Sequence, residues 1–122
     1  MSYKELRTPR VYVPNKSFHD FEAATRFGEF VYLTQGRLPP KFNMNDVARR
    51  CQEVLQDAKE FDYLLISGPH SVCSVATAIL AYRFGRINYL VWDPAIGDYV
   101  SRPILLTRML EREEVVDDGR TV

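Results

Sequence analysis

Two short polar clusters interrupt the apolar runs of this 122-residue chain. One is Asn15-Lys16-Ser17, with His19 and Asp20 close behind; the other is Ser67-Gly68-Pro69-His70-Ser71. Together they hold a lysine, two histidines, three serine hydroxyls and a carboxamide. Such groups suit an anion: hydroxyls and amides donate hydrogen bonds, and lysine or histidinium supplies charge. Histidine also opens general acid–base chemistry.

The second cluster lies between an apolar strand-like run and an apolar helix-like run. Pro69 suits the first helical position, where its missing N–H costs nothing. Ser67 or Gly68 then precedes the helix as its cap. The free amides of His70 and Ser71 leave the helix end along with the positive end of its dipole. A phosphate or carboxylate would satisfy them, and Lys16 and His19 could add charge. The candidate ligand-binding set is therefore Asn15, Lys16, Ser17, His19, Ser67, Gly68, His70 and Ser71. Each has a plainer use. Ser67 caps a helix, and Gly68 lets helix and strand pack closely. Ser17 and Asp20 form a capping-box-like helix start, and Lys16 is solvated. Asn15 bridges neighbouring loops or serves a turn. The histidines sit on the surface or fill space.

Known signatures are absent. There is no GxxxxGK[ST], no GxGxxG after the first strand, and no HExxH or CxxC. No cofactor and no metal is therefore expected. A metal drawn from His19, Asp20 and Asp93 has no diagnostic spacing. No catalytic serine arrangement can be read.

The clusters need elements to position them. "RVYVP" is a strand over Arg10–Val13. A helix follows from the Ser17 cap, with Phe18, Phe21, Ala24 and Thr25 at helical spacing, and stops at a left-handed Gly28. Phe30–Thr34 is a second strand. Gly36–Asn45 is a loop with two prolines, a connection or a flap. Asn43 or Asn45 caps an amphipathic helix whose stripe is Val47, Cys51, Val54, Leu55 and Ala58, with Arg49, Arg50, Gln52, Glu53, Gln56 and Asp57 mainly away from it. "FDYLLISG" is a third strand, apolar on both faces and so interior to a sheet covered on both sides. The helix Pro69–Phe84 is apolar nearly all round, as if packed on more than one side, and ends at Gly85. "RINYLVWD" and "DYVSRPILL" are strands joined by the short turn "PAIG", hence antiparallel neighbours. Pro103 puts the last strand at an edge. Residues 1–9 form an arm, and 107–122 a short helix or tail.

Alternating strands and helices favour a mostly parallel sheet with helices on both faces. The expectation is one α/β domain, a small Rossmann-like three-layer sandwich. Its strand order is near 2-1-3-4-5, with an antiparallel C-terminal edge strand. Ligands of such sheets sit beyond the carboxyl ends of the strands, where strand order switches. Both polar clusters fall there.

Composition bounds the rest. The chain is 46% hydrophobic and 26% charged, with 16 basic and 16 acidic residues. Zero balance argues against broad nucleic-acid binding, which needs a field of one sign. Apolar runs fall short of the roughly 20 residues of a membrane span. Met1–Arg10 has no signal-peptide pattern, so a soluble, cytoplasmic protein is expected. Cys51 and Cys73 read as small buried hydrophobes.

The segments "VYVPNKSFHDFEAATRFGEFVYLTQG" and "DYLLISGPHSVCSVATAILAYRFGRINYLVWD" resemble a group of small proteins of tailed bacteriophages. The likeness rests on Asn15, Lys16, Ser17, His19 and Asp20, on Phe27-Gly28, and on the Ser67 corner. It implies a viral accessory protein acting in the host cytoplasm, and no activity. Three readings stand. One is a non-catalytic binder of a nucleotide-like anion. Another is an interaction module for a host or viral protein, using the fifth strand's edge or the "LPPKF" loop. The third is a small nucleotide hydrolase or transferase with His19 or His70 as general base. A homodimer fits any of them, because a small sheet leaves edges to cover.

Overall fold

A computed structural model describes residues 7–16, 20–38 and 41–106. The elements run in the order β1 (Arg10–Lys16), a 3-10 helix (Glu22–Phe27), β2 (Glu29–Gln35), α1 (Met44–Leu55), β3 (Tyr63–Leu65), α2 (His70–Phe84), β4 (Arg86–Asp93) and β5 (Asp98–Leu105). They form one five-stranded sheet in the order β2-β1-β3-β4-β5. The first four strands are parallel and β5 is antiparallel to β4, as expected. Pro103 stands opposite Asn88 on the outermost strand.

Successive residues serve opposite faces of the sheet. Tyr12, Leu33, Leu64 and Ile87 meet Val47, Cys51 and Leu55 of α1 and Val72, Ala76 and Leu80 of α2. On the other face Val11, Val13, Leu65 and Leu90 meet Phe21, Ala24 and Tyr99. Leu64 and Leu65 thus bury into different cores, which is why β3 is apolar without alternation. Among the described residues the three layers are unequal: two α-helices lie on one face and a single 3-10 helix on the other.

Four local expectations are corrected. First, β1 does not stop at Val13. It continues through Pro14 to Lys16, so Asn15 and Lys16 are strand residues paired with Thr34 and Gln35. The register omits Pro14, which has no N–H to offer the ladder. Second, β3 is only Tyr63–Leu65. Third, the first helix is 3-10, and Phe21, Ala24 and Phe27, three residues apart, all pack into the core with Val11 and Val13. That helix begins at Glu22 with Phe21 as its cap, and the expected cap residue Ser17 lies outside the described residues. Asp20 Oδ1 accepts the Glu22 N–H at 2.8 Å. Gly28 is not left-handed helical. Its φ is 155 and ψ 178, and a β-carbon would stand 2.1 Å from the Pro9 carbonyl oxygen. Glycine is there because two backbones touch. Fourth, α2 packs on more than one side as expected, against both the sheet and α1, but its apolar residues are not all covered: one stripe, Ser74, Ala78 and Tyr82, stays in water, the last 93% exposed. The helix ends at Gly85, left-handed at φ 66. Residues 1–6 of the expected arm and the whole of 107–122 lie outside the described residues.

Candidate functional site

The sheet reverses its winding between β1 and β3, since β2 lies on one side of β1 and β3 on the other. The carboxyl ends of these two strands therefore flank the crevice where ligands of such sheets sit. Gly68 closes the gap between them. A β-carbon there would lie 3.7 Å from the β-carbon of Asn15 and 3.9 Å from that of Pro14. Its φ of +86 turns the chain from β3 into α2 in a conformation that favours glycine.

Neither Ser67 nor Gly68 caps α2. The cap is Pro69, extended at φ −61 and ψ 128, with no side-chain bond to the helix. A proline's fixed φ fits this position as well as the next. The first helical hydrogen bond runs from the Cys73 N–H to the Pro69 oxygen, 3.1 Å. The amides of His70, Ser71 and Val72 thus have no acceptor within the helix. Cys73 also ties the corner down, its thiol donating to the Ser67 carbonyl at 3.3 Å. Burial pushes that thiol upward from its usual pKa, so it is no ready nucleophile.

The other candidate residues divide. Asn15 is half-buried and joined to Thr34, whose hydroxyl lies 2.8 Å from Asn15 Oδ1 and 2.7 Å from the Pro14 oxygen. One hydroxyl hydrogen cannot serve two acceptors. Both contacts are satisfied when Thr34 donates to Pro14 and the Asn15 amide turns its Nδ2 to Thr34. Lys16 points elsewhere: its amine lies 5.6 Å from the ring centre of Tyr32. His70 is exposed, and its imidazole has no hydrogen-bond partner among the described residues. Ser71 is half-buried. Ser17 and His19 lie outside the described residues. The structure sets Gly68 against Asn15, with His70 and Ser71 opening α2 two and three residues further on, and turns Lys16 toward Tyr32 of β2.

A family model described as Phage Pam3 gp32-like protein matches residues 9–106. The chain belongs to this family. The match spans all five strands and the β3–α2 corner, and it bears out the likeness to small phage proteins. It carries no activity with it. No curated protein and no solved structure matches.

A concavity opens at the carboxyl end of β2. A cleft of about 520 Å³ lies between the end of β2 and the first turn of α1. Thr34 lines it, so the residue that holds Asn15 also forms its wall. Leu38, Phe42 and Val47 supply apolar surface, and Lys41, Arg50 and Asp46 supply charge. Asn43 caps α1 at its rim, its side chain accepting the Asn45 N–H at 2.7 Å. Sequence reasoning missed this cleft, because Arg50 reads as part of a solvated helix face and Lys41 as a loop lysine. The signal that was available is the run Lys41-Phe42-Asn43: a cation, an aromatic and a cap in succession. Among the described residues no group of three or more His, Cys, Asp or Glu side chains is placed to hold a metal ion. None of the described helices is long and apolar enough to cross a membrane.

Proposed function

We propose that this phage protein binds a small anionic, nucleotide-like ligand at the carboxyl ends of β1 and β3, and carries out no reaction of its own. One observation carries the reading. The Ser67–Pro69 turn lies against the end of β1 at the switch in strand order, and there α2 begins without a side-chain cap. An anion seated at that corner would accept from the amides of His70 and Ser71, with the Ser71 hydroxyl, the His70 ring and the Asn15 carboxamide as further partners. Ser17 and His19, which follow β1 in sequence, complete the proposed set. An imidazole with no orienting partner among the described residues suits binding better than proton transfer.

Thermal unfolding of the full chain against a panel of nucleotides tests this. A ligand at ten times its Kd adds about 1.4 kcal/mol and raises the midpoint by about 3–6 °C. His70→Ala and Ser71→Ala should each reduce the shift. No shift with any nucleotide at millimolar concentration would remove the proposal.

The β5 edge supports a second reading, pairing with a strand of a host or viral protein. Ser101–Leu105 are all exposed there, Ile104 and Leu105 among them. Pro103 withholds one N–H from any such partner. A partner recovered with the wild-type chain and lost with Ile104→Lys would favour it.

A further inference from the structure

We infer that the cleft between β2 and α1 is a second binding site, one for a small organic phosphate carrying a flat apolar group, with Lys41 and Arg50 holding the phosphate. The inference stands apart from the corner at α2, because none of Asn15, Gly68, His70 and Ser71 lines this cleft. Its volume of about 520 Å³ falls in the range of small-molecule sites, roughly 300–1,000 Å³.

The charges in its wall do not cancel. Asp46 is committed to Arg49, Nη2 to Oδ1 at 2.8 Å. Lys41 has neither an ion pair nor a hydrogen bond among the described residues. Arg50 makes one long bond, Nε to the Leu33 carbonyl at 3.4 Å, and no ion pair among them. Its remaining guanidinium N–H groups are therefore available. Two cations beside one already paired carboxylate call for an anion, and a guanidinium fork matches a phosphate in particular.

The apolar part of the wall gives the other half of the ligand. Phe42 is 38% exposed, and Leu38 and Val47 line the same cleft. Covering an exposed aromatic ring with a flat group is favourable, and the cations alone do not provide it. A bare phosphate would leave that surface wet. A nucleic-acid strand fits poorly, since it needs a continuous basic track and the chain carries 16 basic and 16 acidic residues.

The test is calorimetric titration of the full chain with phenyl phosphate, adenosine monophosphate, inorganic phosphate and phenol. Phenyl phosphate and adenosine monophosphate should bind at least tenfold more tightly than inorganic phosphate or phenol. Lys41→Ala and Arg50→Ala should each weaken them at least tenfold, with Arg50→Lys intermediate. Both side chains are exposed, so the variants should keep the wild-type circular dichroism spectrum. His70→Ala should leave the phenyl phosphate affinity within twofold. Phenyl phosphate binding no tighter than inorganic phosphate would overturn the inference, as would affinity surviving the double substitution of Lys41 and Arg50. Binding that survives that double substitution but fails with His70→Ala would place the ligand at the α2 corner, supporting the proposed function while ending this one. Loss on Lys41→Ala and Arg50→Ala alone would do the reverse.

Discussion

Gly68 packs on Asn15 with only the width of a van der Waals contact to spare: a β-carbon at Gly68 would stand 3.7 Å from that of Asn15. Space is therefore not what excludes a side chain there; the φ of +86 is. Gly68→Ala should cost about 1–2 kcal/mol, from backbone strain alone. Gly28 is the contrasting case. Its β-carbon would stand 2.1 Å from the Pro9 carbonyl oxygen at a φ of +155, so crowding adds to strain. Gly28→Ala should cost more than about 3 kcal/mol. Urea unfolding of the two variants checks the order, and equal losses would contradict this account.

Asp62 ties the start of the sheet. Its side chain is 2% exposed. It accepts from Arg7 Nη1 at 2.9 Å and Nη2 at 2.6 Å, and from the backbone N–H groups of Arg10 and Lys59, each at 2.8 Å. The carboxylate raises the pKa of Arg7, chiefly through these hydrogen bonds. Removing the acid strands two amides and a guanidinium, so Asp62→Ala should lose about 3–5 kcal/mol. Arg7→Ala leaves the carboxylate its two backbone donors and should lose about 1–2 kcal/mol. Denaturant midpoints that rank Arg7→Ala as the worse variant would refute the assignment.

The strand order was legible because β3 is apolar at consecutive positions and must be interior, while the four-residue turn before β5 leaves it no choice but to pair with β4. The α1 stripe was legible because Val47, Cys51 and Leu55 recur at the α-helical period and all are buried. The 3-10 helix was not. Phe21 and Ala24 fit a period of 3.0 as well as 3.6, and tertiary packing on Val11 and Val13 decides between them. The α2 cap was misplaced by one position because proline tolerates both the cap and the first helical site. Of the candidate site, the meeting of the β1 and β3 ends followed from topology. The turn of Lys16 onto Tyr32 did not, since a lysine stem reaches either way. The β2–α1 cleft depends on the path of the loop ahead of Asn43, which no local propensity sets.

The tripeptide Arg-Phe-Gly closes a helix twice, and its arginines do unequal work. Both guanidinium groups lie over the following phenylalanine, Arg26 at 4.3 Å and Arg83 at 5.0 Å from the ring centre. Arg83 also donates to the carbonyls of Leu55, Gln56 and Ala58 and so satisfies the end of α1 from a neighbouring helix. Arg26 bonds Asp98 at 2.7 Å and the Tyr99 carbonyl at 2.8 Å, and the Asp98 pair is exposed. Arg83→Ala should cost about 1–3 kcal/mol through lost charge-assisted bonds to partly buried carbonyls. Arg26→Ala should have the smaller effect on stability, because exposed ion pairs contribute little. It should have a clear effect on titration. The Arg26 hydrogen bond holds the Asp98 carboxyl below its usual pKa, with the Tyr99 amide helping. What the pair adds is present above the usual aspartate range and is lost as pH falls through the lowered value. NMR titration of Asp98 should therefore move up toward an ordinary aspartate in Arg26→Ala.

Cys51 provides a pH dependence of the opposite sign. It is fully buried against the sheet, and burial pushes its thiol up from 9.0 to about 11, Arg50 opposing the rise only in part. The folded chain thus holds the proton more tightly than the unfolded chain. Below pH 9.0 both forms are protonated and Cys51 adds no slope; between 9.0 and about 11 only the unfolded form gives up its proton, and stability falls. A rise from 9.0 to about 11 bounds that loss at about 2–3 kcal/mol. Tyr12 and Tyr99 are also raised by burial and act in the same direction, so the wild-type profile alone cannot isolate the thiol. The difference between wild type and Cys51→Ala does isolate it. Near neutral pH the variant should be less stable by about 1 kcal/mol, from the transfer and cavity cost of one small side chain. As pH rises, wild type should lose stability faster, and the gap should close or invert. Urea midpoints from about pH 8 to about pH 11 measure this. A gap that stays constant across the range would mean that the thiol ionises as readily in the folded chain as in the unfolded one.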